Sequence, residues 1–275
     1  MNVNSVAVML TRTAQAILRR AVTERIFSSH FGITSNIAAV MYLHVSASNI
    51  KPEWLLMGLN FLYKYETEEL NATRFGIDEK TFRMYCWKTI KVISDLNFIC
   101  LENRNRNGNT GKRMRMSIDG TDCRIMEPMP FNEKWYSHKF KGPGLRYEVG
   151  VALNGSIVWI HGGFPCGEWS DVKIARDAVL ELLDEGEKVL ADGGYKGDSR
   201  IVTPSGVNDQ LSRIRSICRA RHEAVNARLK NFNILSCRYR HALVKHPMCF
   251  YAVANIVQAD LLINNRLFKV NESHL

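Results

Sequence analysis

Apolar residues recur at helical spacing in the first part of the chain. Between Pro52 and Tyr65 they follow one face of a helix, and Pro52 suits a first helical turn. A second helix is predicted to begin at Thr67, whose hydroxyl can cap it, and to end at Gly76. Asp78 can cap a third helix. Helix, glycine turn and helix together predict a helix-turn-helix-like arrangement.

The third predicted helix carries basic residues. Lys80, Arg83 and Lys88 fall largely outside its apolar stripe. A basic outer face on such a helix pair favours contact with DNA, so these three residues are candidate DNA contacts. The alternative is an ordinary solvated surface, because helix pairs with basic faces are common.

The first 30 residues are basic and contain no acid before Glu24. This pattern is superficially typical of a mitochondrial presequence. We favour an ordinary amphipathic helix, because the helical pattern continues through Ile26 and Phe31 without a cleavage-like break.

No apolar residue occurs between Glu102 and Lys112. Such a stretch cannot pack into a core and is predicted to be a linker or a long exposed loop. The predicted organisation is therefore a helical, DNA-binding region at 1–101, a linker at 102–113 and a second domain at 114–275.

From residue 114 onward the pattern changes to short strand-like runs separated by turns and helices. It predicts an α/β fold, with a mixed sheet and helices packed on it. The predicted elements are a strand through Ile118 that leads to Asp119, runs 147–153 and 157–161 joined at Asn154-Gly155, a helix at 171–184 and a strand at 188–191 that ends at Asp192.

Two carboxylates therefore follow strand-like runs. Asp119 and Asp192 would lie on neighbouring strands if the first and fourth strands pair, which the order permits. Ligands gather at strand ends in such sheets. Gly120 leaves the backbone beside Asp119 open to close approach by a ligand.

A third carboxylate lies in a basic helical segment. Between Leu211 and His246 there are nine Lys or Arg residues and one acid, Glu223. One interpretation is a surface ion pair with Arg219, one helical turn back. The other is an oxygen ligand flanked by phosphate-binding cations, for which the candidates are Arg219, Arg228 and Lys230.

Composition narrows the class of partner. The chain has 275 residues, 46% of them hydrophobic, and can bury the core of one domain plus a smaller one. The net charge of +10 favours a polyanion, and nucleic acid fits better than a membrane because the charge is spread and no apolar run is long enough to cross a bilayer. Seven cysteines without a Cys-x-x-Cys motif indicate reduced packing residues in an intracellular protein.

Three acids beside basic residues suit phosphodiester chemistry. A phosphodiester repels nucleophiles, so its charge has to be neutralised while water is activated. Two divalent cations, Mg²⁺ or Mn²⁺, can do both when carboxylates hold them. In this hypothesis Asp119 bridges the cations, and Asp192 and Glu223 each complete one side.

Several motifs occur in the order typical of one known family, over roughly residues 115–262. They are Asp119-Gly-Thr121, Trp135-Tyr-Ser-His-Lys-Phe-Lys-Gly-Pro-Gly-Leu-Arg-Tyr-Glu148, Ile157-Val-Trp-Ile160, Gly167-Glu-Trp-Ser-Asp171, Ala191-Asp-Gly-Gly-Tyr195, His222-Glu-Ala-Val-Asn-Ala-Arg-Leu-Lys230 and the region 241–258. With these motifs the chain resembles the DDE-superfamily transposases, specifically the PIF/Harbinger-like group.

The resemblance implies an RNase H-like catalytic fold, with Asp119, Asp192 and Glu223 as the catalytic triad. It also implies Mg²⁺-dependent cutting and joining of double-stranded DNA at transposon ends. Some relatives need a Myb-like helper protein. The expected partners are thus DNA, such a helper and further copies of the chain, and the expected location is the nucleus in a eukaryote or otherwise the cytoplasm.

Alternatives remain at both the residue and the functional level. Asp122 is expected on the opposite side of the strand or in a loop, Asp171 as the cap of the following helix, and His222 at the surface rather than on a phosphate. Ser170-Asp171 stands where the family often has His-Asp. The second functional hypothesis is a domesticated, sequence-specific DNA-binding protein that keeps the fold without catalysis.

Overall fold

The computed structural model describes residues 2–105, 113–130, 132–203, 210–264 and 266–267, so most of the predicted linker lies outside the described residues. Contacts divide the chain into two compact units. The helical unit comprises Met1–Phe98, Leu229–Cys237 and His241–Ile263, and the sheet unit comprises Ile99–Arg228, Arg238–Arg240 and Asn264–Leu275.

The helices of the described residues span four to 21 residues. Not one of them is both long enough and apolar enough to cross a membrane. They are α1 (Val3–Leu18), α2 (Glu24–Phe31), α3 (Ser35–Val45), α4 (Pro52–Lys64), α5 (Glu68–Phe75), α6 (Glu79–Ser94), α7 (Asp171–Asp177), α8 (Gln210–Lys230), α9 (Asn233–Ser236) and α10 (His246–Ile263).

The three predicted helices around Gly76 are confirmed as α4, α5 and α6. Pro52 lies in the first turn of α4. The Thr67 hydroxyl accepts a hydrogen bond from the Leu70 amide at the start of α5, and Asp78 Oδ1 accepts one from the Thr81 amide at 2.9 Å. Gly76 ends α5 with a φ of +67°, a conformation that favours glycine. DNA binding by this helix pair stays a prediction.

The N-terminal segment forms two helices, so the prediction of one continuous helix is wrong. The chain leaves α1 at Arg19, which has a φ of 51°. A new cap then starts α2, because the Thr23 hydroxyl accepts a hydrogen bond from the Ile26 amide. Local capping therefore divides the segment into two helices, although its apolar pattern continues along the sequence.

Helix α10 belongs by its contacts to the helical unit, whereas the sequence pattern placed it in the domain at 114–275. It packs against α6 and α3. Asn255 Nδ2, buried on α10, donates a hydrogen bond to the carbonyl oxygen of Ile93 on α6 at 3.0 Å. A helix that is apolar around most of its surface needs neighbours on several sides, and the other helices supply them.

A mixed sheet forms the centre of the sheet unit. The strand order is β2-β3-β1-β5-β6, with β4 also paired to β3. Parallel pairing joins β1 to β5 and β5 to β6, and the other pairs are antiparallel. The strands are β1 (Met114–Arg124), β2 (Tyr136–Ser137), β3 (Gly142–Ala152), β4 (Ile157–Pro165), β5 (Lys188–Leu190) and β6 (Ile201–Val202).

The sheet has helices on both faces, as an RNase H-like fold requires. On one face, α7 and the 3-10 helix Val179–Leu182 contribute to a core with Ile118 of β1. On the other, Cys218 of α8 packs against Leu190 of β5. The hairpin predicted at Asn154-Gly155 is confirmed between β3 and β4.

Two local predictions in this unit are corrected. The helix predicted at 171–184 breaks at Ala178, whose φ of −139° and ψ of −84° are not helical. Strand β1 continues to Arg124, because β3 pairs with it up to that residue. Asp119 therefore lies within β1 rather than at its end.

The seven cysteines are all described, and none of them forms a disulfide bond. Five of them are buried, which agrees with the predicted role in packing. The buried ones are Cys86, Cys123, Cys166, Cys218 and Cys249.

Candidate active site

The pairing of β1 with β5 brings Asp119 and Asp192 to the same place. Ser117 lies opposite Leu190 in the parallel register, and each acid follows two residues after its paired residue. Side chains repeat every second residue along a strand. The predicted adjacency of the first and fourth strands is therefore confirmed.

All three acids of the predicted triad line one cavity of about 480 Å³ in the sheet unit. Asp119 comes from β1, Asp192 from the residues after β5, and Glu223 from α8. Lys139 and Arg219 add positive charge to the same wall. The cavity therefore combines carboxylates with cations.

Asp119 is half-buried and is held in place by α8. Asn226 Nδ2 donates a hydrogen bond to Asp119 Oδ2 at 3.2 Å. The pKa of the Asp119 carboxyl is raised to about 6, chiefly by burial; Lys139 opposes the rise, and the charges of Asp192 and Asp171 add to it. Burial thus penalises the charged form of this carboxyl in the metal-free protein.

Asp192 is exposed at the start of a 3-10 helix, Gly193–Tyr195. Its Oδ1 accepts a hydrogen bond from the Gly194 amide at 2.8 Å. This bond fixes the side chain by a short-range contact, so Asp192 needs no partner from a distant element for its orientation.

Glu223 lies on the cavity wall, but it pairs with Arg219. The distance between Glu223 Oε1 and Arg219 Nε is 3.4 Å, and the Glu223 side chain is 68% exposed. Within the described residues, no group of three or more His, Cys, Asp or Glu residues is arranged to hold a metal ion. The expectation that the three acids already meet at metal-binding distance is therefore not met, because α8 directs Glu223 toward its own neighbouring turn.

Asp171 is a fourth acid beside Gly120. A β-carbon at position 120 would lie 2.0 Å from Asp171 Oδ1, so Asp171 fills the space that the sequence left open for a ligand. The helix cap expected from Asp171 is supplied by Ser170, whose hydroxyl accepts from the Lys173 amide at 3.4 Å. Burial raises the pKa of the Asp171 carboxyl, and Lys139 and Arg146 oppose this effect.

Lys139 is the residue at the cavity that sequence reasoning missed. Its ammonium donates a hydrogen bond to the Gly120 carbonyl oxygen at 2.7 Å and lies 3.8 Å from Asp171 Oδ2. It occurs in the segment between β2 and β3, where no periodic pattern marks it. Its place in the motif Trp135 to Glu148 is the one signal that could have identified it.

Residues 118–258 match the family model described as DDE superfamily endonuclease. The chain belongs to this family. The matched segment includes Asp119, Asp192 and Glu223, and membership implies a nuclease that acts on DNA. Endonucleases of this superfamily generally use divalent metal ions. No curated protein and no solved structure matches the chain.

Two other polar residues of this DDE superfamily endonuclease have structural partners. Asp122, on the opposite side of β1 from Asp119, accepts hydrogen bonds from Arg146 at 2.8 and 3.0 Å and from Ser137 at 2.5 Å. His222 is 3% exposed, so its expected surface position is wrong. Its Nε2 lies 2.9 Å from Ser117 Oγ, and burial lowers its pKa to about 4, which keeps it neutral.

The candidate DNA contacts in the helical unit are largely engaged within the endonuclease. Lys80 is exposed. Arg83 pairs with Glu68 and Glu79, and the Lys88 ammonium lies 5.2 Å from the centre of the Trp54 ring. Ion pairs at such exposed positions are weak, so the side chains can exchange them for a phosphate.

The candidate contacts on α8 differ in exposure. Arg219 is 78% exposed on the cavity wall, where it pairs with Glu223. Arg228 is half-buried. Lys230 donates a hydrogen bond to the Leu235 carbonyl oxygen at 3.1 Å, which ties α8 to α9 within the helical unit. Of these three cations, Arg219 is therefore the one placed best to meet a ligand in the cavity.

The oxygen atoms around the cavity suit a hard divalent cation. Asp119 and Asp192 supply carboxylates, the ligands that Mg²⁺ and Mn²⁺ prefer. Asn226 Oδ1 is buried and accepts no hydrogen bond from the described residues, so the same side chain that orients Asp119 has an oxygen available as a donor to metal. These residues fit the metal ions that the family uses.

Proposed function

We propose that this chain is a divalent-metal-dependent DNA endonuclease and strand transferase of a DNA transposon, of the PIF/Harbinger-like group. The observation that carries the proposal is the β1–β5 register, which brings Asp119 and Asp192 to one cavity with Glu223. The ordered motifs from Asp119 to Lys230 support the choice of group.

In the proposed mechanism Asp119, Asp192 and Glu223 hold two Mg²⁺ or Mn²⁺ ions. When bound, these ions neutralise the scissile phosphate and activate the attacking oxygen. Asn226 keeps the Asp119 carboxylate aimed at the cavity through its hydrogen bond. To hold a metal ion, Glu223 would give up its ion pair with Arg219, a change that would cost little because both side chains are exposed.

Release of Glu223 leaves Arg219 free to bind a phosphate of the DNA backbone. Lys80, Arg83, Lys88, Arg228 and Lys230 are the other proposed DNA contacts. The net charge of +10 supports a polyanionic partner, and affinity for DNA should fall steeply as salt concentration rises. A Myb-like helper, self-association and a nuclear location in a eukaryote, or otherwise the cytoplasm, complete the proposal.

The proposal is tested with purified protein and DNA that carries the ends of the element, found as inverted repeats flanking the coding region. We expect nicking in Mg²⁺ or Mn²⁺ and none in EDTA. Asp119→Asn, Asp192→Asn and Glu223→Gln should each abolish nicking by removing a ligand charge. Glu168→Gln is the matched control, because Glu168 is an exposed acid that does not line the cavity.

Binding is measured beside cleavage by mobility shift at several salt concentrations. Nicking by the wild type and by Glu168→Gln, with loss in the three triad variants, supports the endonuclease. Sequence-specific binding without nicking, unchanged by Asp192→Asn, would instead favour a domesticated DNA-binding protein.

A further inference from the structure

We infer that Lys139 is a resident counter-ion of the acidic site, which competes with divalent cations and so limits their affinity. This inference rests on the proposed binding of metal by Asp119 and Asp192. It assigns Lys139 a positioning role, because its ammonium acts through the carboxylates.

The contacts of Lys139 place its charge beside the proposed ligands. The ammonium donates to the carbonyl oxygen of Gly120, the residue directly after Asp119, at 2.7 Å. It is 3.8 Å from Asp171 Oδ2, and its side chain lines the cavity with Asp119 and Asp192. One positive charge is thus held beside Gly120 and Asp171, on the wall of the cavity that Asp119 and Asp192 also line.

The neighbouring cation, Arg146, cannot replace Lys139 in this role. Its guanidinium binds both carboxylate oxygens of Asp122 and also lies 3.4 Å from Asp171 Oδ1. A planar fork in a two-point contact is fixed in position. The Lys139 side chain is 45% exposed and ends in a compact ammonium on a flexible stem, so it can withdraw when another cation arrives.

The Lys139 ammonium and a divalent cation are both positive, so they repel each other within one cavity. A divalent cation at Asp119 and Asp192 therefore has to displace the ammonium or accept its repulsion. In both cases the ammonium offsets part of the attraction between the carboxylates and the divalent cation. Removal of the Lys139 charge should therefore strengthen metal binding.

A purely structural role makes the opposite prediction. The Lys139 amide donates to Ser137 Oγ at 3.2 Å, and the ammonium ties the same segment to β1 through Gly120. If this tether were the whole role, loss of the side chain would loosen the site and weaken metal binding.

The test is a calorimetric titration of the full-length protein with Mn²⁺ in the absence of DNA. We expect Lys139→Met to bind Mn²⁺ about three- to tenfold more tightly than the wild type at low salt, with a smaller difference at high salt. Lys139→Arg keeps the charge and should bind as the wild type does. Lys141→Met makes the same change of net charge at an exposed position that does not line the cavity, and should have no effect.

Lys139→Gln replaces Lys139→Met if the latter does not fold, as judged by circular dichroism, because an amide can still donate to Gly120. The inference would be overturned if the folded variant, Lys139→Met or Lys139→Gln, bound Mn²⁺ as tightly as the wild type or more weakly. It would also be overturned if neither the wild type nor the variant bound Mn²⁺. Tighter binding without DNA cleavage by the wild type would support it and refute the proposed function alone.

Discussion

The carboxylate of Asp171 occupies the space that the missing side chain of Gly120 leaves on β1. A β-carbon at position 120 would stand 2.0 Å from Asp171 Oδ1 and 2.8 Å from its carboxyl carbon. Arg146 and Lys139 hold Asp171 there from two sides. Glycine is thus required next to Asp119 by a neighbouring acid rather than by a ligand.

Gly120→Ala should displace Asp171 and disturb the cavity. We expect a loss of about 1–3 kcal/mol in the free energy of unfolding, because overpacking forces side chains and backbone to shift. Thermal or chemical denaturation measures this loss, and DNA nicking should fall with it.

Gly193→Ala is the matched control for that substitution. Nothing lies within 4 Å of a β-carbon built at position 193. Its unfolding free energy should stay within about 0.5 kcal/mol of the wild type. Equal stability of the two alanine variants would contradict the close approach of Asp171 to Gly120.

The buried carboxyl of Glu148 should make stability depend on pH. Glu148 is 1% exposed, and burial raises its pKa from 4.5 to about 8. Between these values the unfolded chain releases a proton that the folded protein retains, so the contribution of Glu148 to stability is largest below pH 4.5 and falls as pH rises to about 8.

Glu148→Gln removes this dependence and keeps an oxygen for the hydrogen bond from Trp159 Nε1. The variant should match the wild type near pH 4.5 and exceed its stability by a growing margin up to about pH 8. Urea denaturation across this range measures the margin. Glu168→Gln, at an exposed acid, should show no such trend, and a constant difference for Glu148→Gln would refute the prediction.

The carboxyl of Asp119 should titrate at about pH 6 in the metal-free protein, since burial raises its pKa. Asp192→Asn should lower this pKa by removing a negative neighbour, and Lys139→Gln should raise it by removing a positive one. Carboxyl-carbon NMR measures both shifts. A wild-type pKa near the ordinary value of 3.8 would contradict the burial of Asp119.

Protonation competes with metal at the same carboxylate, so Mn²⁺ affinity should decrease as pH falls through about 6. Mn²⁺ titrations at several pH values measure this decrease. Affinity that stays constant down to pH 5 would show that Asp119 does not bind the metal.

A buried ion pair should stabilise the end of the sheet unit. Arg104 Nε and Glu187 Oε1 are 2.9 Å apart, and the Glu187 side chain has 0% exposure. Glu187→Gln should cost about 3 kcal/mol, because it removes the charge of the buried carboxylate that Arg104 and Arg115 share. Glu185→Gln, at an exposed neighbour, should change the unfolding free energy by less than about 0.5 kcal/mol. If Glu187→Gln and Glu185→Gln changed the free energy of chemical denaturation equally, a stabilising role for the ion pair between Arg104 and Glu187 would be disproved.

Short-range features of this fold could be predicted with some accuracy. The caps at Thr67 and Asp78 and the hairpin at Asn154-Gly155 each depend on residues within a few positions of one another. The break at Ala178 could not be predicted, because the apolar pattern continues across it. Packing against the sheet replaces the α-helix there by a 3-10 turn.

The sequence by itself determined that Asp119 and Asp192 accompany strand-like runs and that Glu223 lies in a basic helical segment, since apolar periodicity and order along the chain are local properties. Only the tertiary structure decided that Asp171 covers Gly120, that Lys139 joins the cavity and that His222 is buried against Ser117. The last pair lies 105 positions apart along the chain. Contacts of this kind depend on which strands pair with β1 and on which face of the sheet α8 packs against. The spacing of residues within one segment does not encode either.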